Sequence, residues 1–246
     1  MIGVVTLPVM APVAAPAFGL PASAAGYFQS CAFVGAAVAA LMSGTLATRY
    51  GGIRVSQWCC LLTIVGLALP VFVWLPALVL GALLVGAGYG MATPAASLVL
   101  AKVTPPGMRG VIFSVKQSAV PLGGAVAGLT VPALAEAADW RIAIGASVAI
   151  VIAASLTLLP LRKALDTHLD TTAQVTMSSM LGNVTMVWRH AGLRALACVA
   201  FTYAAVQVGL FALYVTILVE AAARDLIQAG YCYAVMQGVG VGARIF

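Results

Sequence analysis

The sequence predicts an all-α membrane protein, a bundle of about eight transmembrane helices. The chain of 246 residues is 63% hydrophobic and only 7% charged. Soluble domains carry roughly a quarter charged residues, so this chain has too little polar surface to stay dispersed in water. Apolar runs of about 20 residues, the length that crosses a bilayer, follow one another with short polar breaks. The 25 glycines and 12 prolines fit as well, because both are commoner in membrane helices than in soluble ones.

The expected spans are roughly 1–18, 24–47, 56–75, 77–101, 110–134, 141–161, 193–219 and 226–246. The first is a shortened helix interrupted by Pro8, Pro12 and Pro16; it lacks the positive leading region of a secretory signal. One polar stretch is long. It runs from Arg162 to Gly192 and holds Arg162, Lys163, Asp166, His168, Asp170, Arg189 and His190. It reads as a linker, 162–192, between a six-helix bundle at 1–161 and a second group of helices at 193–246.

Orientation follows from the basic residues, which concentrate in cytoplasmic loops. With the N-terminus inside, the cytoplasm receives Arg49, Arg54, Lys102, Arg109, Arg162, Lys163, Arg189, Arg194 and Arg244. The outside receives Arg141 and Arg224, along with Glu136, Asp139, Glu220 and Asp225. The expected location is therefore the plasma (inner) membrane, multi-pass, N-terminus cytoplasmic.

Several functions are disfavoured. The net charge of +6 comes from scattered cations, with no basic patch interleaved with aromatics, so no nucleic-acid partner is expected. Cys31, Cys59, Cys60, Cys198 and Cys232 lack metal-ligand spacing and read as small apolar fillers. No metal and no cofactor is expected. An embedded enzyme needs a nucleophile with a base in reach, yet no carboxylate or histidine lies inside a span.

The break between spans two and three reads Gly44-Thr45-Leu46-Ala47-Thr48-Arg49-Tyr50-Gly51-Gly52-Ile53-Arg54. It resembles the cytoplasmic signature of the major facilitator superfamily, G-x-x-x-D-R/K-x-G-x-R/K-R/K. Gly44, Arg49, Gly51 and Arg54 match; Thr48 stands where the family has aspartate, and Ile53 replaces a basic position. Span five carries Lys116-Gln117-Ser118-Ala119-Val120-Pro121-Leu122-Gly123-Gly124-Ala125-Val126-Ala127-Gly128, which loosely resembles the family's fifth-helix pattern G-P-x-x-G-G at Pro121 and Gly124. Gly124 and Gly128 have the spacing that lets a neighbouring helix approach closely, and a proline frees a carbonyl and permits a bend. Asp139-Trp140-Arg141 opens span six, and Gly86-Ala87-Gly88-Tyr89-Gly90 sits within span four, both as in these transporters. A dinucleotide loop is excluded at the latter, because no strand precedes it.

The resemblance implies a major facilitator superfamily bundle, a 12-helix plan of two six-helix halves that rock around a central site. On that plan this chain supplies the first half and two helices of the second, and about four further spans are expected. Gly44, Arg49, Gly51 and Arg54 are expected to form a gating loop. Pro121, Gly123, Gly124 and Gly128 are expected to pack helices. The implied activity is secondary active transport of a small solute, with lipid as the surroundings and a proton as a possible coupling partner.

Lys116 is the leading candidate for solute binding. An ammonium in mid-helix costs about 2.5–3.5 kcal/mol on insertion scales, so it is expected to face a cavity, meet a partner or snorkel. A cation without an intramembrane acid favours an organic anion. Its neighbour Gln117 points about 100° away and is expected to pack toward a partner helix. Gln29, Tyr89, Thr93, Tyr203, Gln207, Tyr214, Tyr233 and Gln237 lie near other span centres; of these Gln29, Tyr89, Gln207 and Gln237 are the chosen substrate contacts. Export of uncharged drugs, or a non-transporting scaffold, are the rival readings. Cysteine-accessibility labelling tests the topology. Arg54→Cys and Lys163→Cys should react from inside, Glu136→Cys and Glu220→Cys from outside, and labelling of Arg54→Cys only from the external face reverses the orientation.

Overall fold

A computed structural model describes residues 1–166, 169–170 and 176–245; His168 of the expected linker and Phe246 of the last expected span lie outside the described residues. Among the described residues the protein is helical, with no strand. The helices are α1 (Ile2–Val9), α2 (Ala11–Ala14), α3 (Ala25–Tyr50), α4 (Gly52–Ala68), α5 (Leu75–Val103), α6 (Arg109–Ala137), α7 (Trp140–Leu165), α8 (Met177–Arg189), α9 (Ala191–Glu220) and α10 (Leu226–Ile245).

Among the described residues six segments are long and apolar enough to cross a bilayer: Ala22–Tyr50, Gly52–Phe72, Leu75–Val103, Pro106–Ala137, Trp140–Leu165 and Ala191–Glu220. The expected count of eight is not reached by these criteria, and the two remaining segments lie at the two ends of the chain. Segment 1–18 is three short pieces, α1, α2 and a 3-10 turn at Ala15–Phe18, because each proline removes a helical donor and crowds the preceding turn. Helix α10 has 20 residues, but Gln228, Tyr231, Tyr233 and Gln237 dilute its apolar content. The expected end of the first bundle at residue 161 falls inside α7, which continues to Leu165, and α8 occupies part of the expected linker.

Local signals explain the helix ends. Asp139 opens α7 by accepting from the backbone N–H of Arg141 at 2.7 Å, the usual satisfaction of an orphan donor at a helix start. The Arg141 guanidinium then lies 4.5 Å from the Trp140 ring centroid and pairs with Asp139 at 3.4 Å. Trp140 itself is buried against Phe18. The Asp139-Trp140-Arg141 run is thus a cap, an anchor and a cation–π clip.

Packing in the first bundle is organised by α5. With 3.6 residues per turn, Gly86 and Gly90 fall on one face of α5, Gly81 and Gly88 on the other. A side-chain carbon on Gly86 would run into the carbonyl of Ala32, and one on Gly90 into that of Ala36, both on α3. On the opposite face, one on Gly81 would come 2.5 Å from the Gly66 carbonyl and one on Gly88 2.6 Å from the Cys59 carbonyl, both on α4. Helix α5 is therefore held backbone to backbone between two neighbours, and the buried Ser43 hydroxyl donates across the α3 seam to the Met91 carbonyl at 3.1 Å. Helix α1 inserts its Val5 and Val9 into the core and donates from Thr6 to the Ser147 hydroxyl of α7 at 3.0 Å. Of the second group, α10 lies along α6, whereas α9 buries only Ala212, Val215 and Thr216 and leaves 191–206 exposed.

Gly86→Leu and Gly90→Leu should separate α3 from α5 and destabilise the bundle by at least about 1–3 kcal/mol, the usual scale of overpacking. Gly44→Ala, where nothing lies within 4 Å of the added carbon, should behave as wild type. Thermal stability of detergent-solubilised protein by size-exclusion checks both; unchanged Gly86→Leu stability contradicts the packing described.

Candidate functional site

Lys116 sits on the second turn of α6, seven residues past its start at Arg109, or about 10 Å along the helix axis. Its ammonium donates to the Ser97 hydroxyl at 2.7 Å and the Thr93 carbonyl at 3.1 Å, both on α5. It also lies 5.8 Å from the Phe113 ring centroid. The side chain is half-buried and is in no ion pair among the described residues. It therefore reaches sideways to a neighbouring helix, where its partners are neutral.

Tyr89 shares the stripe of α5 that holds Thr93 and Ser97, at successive i, i+4 steps. Its ring meets Phe33 of α3 edge-on at 5.8 Å. The glutamines do not converge on this place. Gln29 of α3 is 1% exposed, and neither amide atom has a hydrogen-bond partner. It lines a cavity of about 400 Å³ between α3 and α9, with Ser23, Ser30 and Gly209. Gln207 of α9 donates to its own helix's Tyr203 hydroxyl at 3.0 Å. Gln237 of α10 donates to Tyr233 at 3.1 Å; both are buried in the seam between α6 and α10.

That seam uses the small residues of α6. An added carbon at Gly124 would strike the Gln237 amide, and one at Gly128 would lie 2.9 Å from the Gly230 carbonyl. Gly123 instead faces Met1, and Gly240 approaches Pro121. Pro121 has no N–H to give the Gln117 carbonyl, four residues earlier. The Arg244 guanidinium fills that role from α10, donating to the Gln117 oxygen at 2.8 Å. The Gln117 side chain, expected against a partner helix, is exposed; its backbone makes the interhelical contact instead.

At the other seam, the loop after α3 turns at Gly51, whose φ is +96°, a value that L side chains rarely adopt. Any side chain there would also collide with Asp166. The Asp166 carboxylate, just past the end of α7, accepts from the backbone N–H groups of Ile53 at 3.0 Å and Arg54 at 2.9 Å. The Asp170 N–H donates to the Thr48 carbonyl at 3.1 Å. Arg49 lies 5.3 Å from the Tyr50 ring centroid, and Arg54 5.8 Å from that of Trp58.

The whole chain, residues 1–246, matches the family model of the Major Facilitator Superfamily. It belongs to the Major Facilitator Superfamily. A comparison with curated proteins gives no match. As a superfamily member the chain is a multi-pass integral membrane protein of a transporter family, whose members bind small-molecule solutes and are not enzymes.

Against the superfamily's loop pattern, this chain's arrangement is a substitution of parts. Thr48, at the aspartate position, turns back to donate to the Gly44 carbonyl of its own helix at 2.9 Å. The acid at this loop arrives from α7 as Asp166, and it satisfies the free donors and positive dipole end of α4. Sequence reasoning placed Asp166 in the linker and missed this role; an acid directly after the cations Arg162 and Lys163 at a span's end was the available signal. In the sequence Arg244 counts only toward the cytoplasmic excess of cations, although Pro121 already announces a carbonyl in need of a donor. Asp166→Ala should lower stability by about 0.5–2 kcal/mol, the cost of a lost helix cap, and Asp166→Asn by less, since the amide keeps one acceptor. Thermal unfolding in detergent checks this; equal midpoints for wild type and Asp166→Ala contradict the capping role.

Proposed function

We propose that this chain moves a small organic anion across the membrane by alternating access, with Lys116 as the cation that binds it. Superfamily membership supports transport, and one observation supports the charge of the solute. Lys116 is half-buried within α6 and held only by the neutral Thr93 carbonyl and Ser97 hydroxyl. A cation inside a bilayer is costly without a counter-charge, and an arriving carboxylate is attracted more strongly there than in water. Both neutral bonds are of the kind a lysine exchanges readily, since its three donors rotate freely on a flexible stem. Tyr89 stands one and two turns from Thr93 and Ser97 and belongs to the same proposed site. Gln29, with its unpartnered amide, lines the separate α3–α9 cavity and stays outside that site. The placing of this end of the bundle in the cytoplasm of a cell whose inner membrane holds the protein follows the basic residues at the ends of α3, α5 and α7. Proton coupling is carried over from the family resemblance.

A second reading has its own support. A cavity of about 230 Å³ between α1, α3 and α5 is lined almost wholly by carbon, including Leu7, Phe18, Phe28 and Leu78. Such a pocket suits an uncharged, apolar solute. Uptake measurements at equal membrane expression separate the two. For an anion, Lys116→Ala should lower uptake at least about tenfold, the scale for loss of one partner from a desolvated charge pair. Lys116→Arg should retain part of the activity, with charge kept and geometry changed. Anion uptake unchanged in Lys116→Ala removes Lys116 from the site, and transport confined to neutral drugs favours the second reading.

A further inference from the structure

Resting on the anion reading above, we propose that Arg244 and Lys116 together form a two-cation site for an organic dianion, a dicarboxylate or a phosphate monoester. The two cations come from opposite helices of one seam. Helix α10 runs antiparallel along α6, with Gly230 beside Gly128, Gln237 beside Gly124, Gly240 beside Pro121 and Arg244 beside Gln117. Arg244 is thereby brought to the depth of Lys116, the residue next to Gln117. It also comes within electrostatic range of the Tyr89 hydroxyl, on the stripe of α5 that holds the Lys116 partners Thr93 and Ser97.

Among the described residues both cations have only neutral partners. Arg244 donates to the Gln117 carbonyl, and Lys116 to Thr93 and Ser97; neither is in an ion pair among the described residues. Both side chains are half-buried. Each charge carries an unmet desolvation cost inside the bundle. A monoanion neutralises one of them, while a dianion neutralises both. The chemistry of the pair is complementary. Lysine offers a compact point charge, and arginine offers a planar fork of five donors that fits a carboxylate or phosphate edge in bidentate fashion. The Gln117 oxygen holds Arg244 in place until the ligand arrives, because Pro121 leaves it without a helical donor. A dianion that takes both cations also ties α6 to α10 across the seam.

The test uses the purified full chain at neutral pH, with radiolabelled succinate, glycerol 3-phosphate and lactate in a scintillation-proximity binding assay. Succinate or glycerol 3-phosphate should bind at least about tenfold tighter than lactate, and the tighter of the two tells carboxylate from phosphate. Arg244→Gln should weaken the dianion about tenfold and leave lactate within about twofold. Lys116→Gln should weaken all three. In unsubstituted protein, the preferred dianion should protect Arg244 from modification by phenylglyoxal, a readout that needs no variant to fold. Wild-type dianion affinity in Arg244→Gln, no preference for either dianion over lactate, or no protection from phenylglyoxal overturns the two-cation site. If Lys116→Gln still loses lactate, the anion reading survives that loss. Binding of all three probes unchanged in Lys116→Gln overturns both.

Discussion

The architecture depends on backbone contact between helices at glycine. In lipid, apolar side chains gain little by meeting one another, because the surrounding chains are equally apolar. Association then rests on close van der Waals fit and on whatever polar groups can find partners. Helix α5 meets this constraint on two faces at once, through Gly86 and Gly90 against α3 and through Gly81 and Gly88 against α4. The stripe of Tyr89, Thr93 and Ser97 points where it does because the glycine faces of α5 leave it no other rotation.

Proline does the complementary work in α6. Pro121 and Pro132 each leave a carbonyl four residues earlier without its helical donor. These are Gln117 and Gly128, and both face α10: one accepts from Arg244, the other lies against Gly230. The seam between α6 and α10 is thus built from vacated acceptors and absent side chains. A membrane interior leaves few other sources of specificity. A cation drawn to such a carbonyl satisfies the oxygen without neutralising its own charge, as Arg244 does at Gln117.

The loop after α3 shows that a motif's physical job can move to another residue. The superfamily pattern has an acid where this chain has Thr48. Here Asp166, more than a hundred positions later, brings a carboxylate to the start of α4. Gly51 is needed for its positive φ and for the space Asp166 occupies, whereas Gly44 faces open space. Matching letters in a motif therefore differ in what they do.

The sequence by itself determined the solvent, the helical class, most span positions and the family. Those follow from composition, from apolar run length and from residues read against their near neighbours. It also marked Lys116 as an unusual cation, Gly124 and Gly128 as a packing pair, and Pro121 as the source of a free carbonyl. It took segment 1–18 as one shortened span, where three prolines divide it into short helical pieces, and it treated Gln29, Gln207 and Gln237 as one polar set. Only the tertiary structure separated these, placing Gln29 at an α3–α9 cavity, Gln207 on its own Tyr203 and Gln237 in the α6–α10 seam. Only it gave the Gln117 carbonyl to Arg244, 127 positions away in the chain. Spacing along a helix fixes which face a residue occupies, because the period is set by the backbone. Which helix meets that face is set by packing between segments distant in sequence, and no local pattern encodes it.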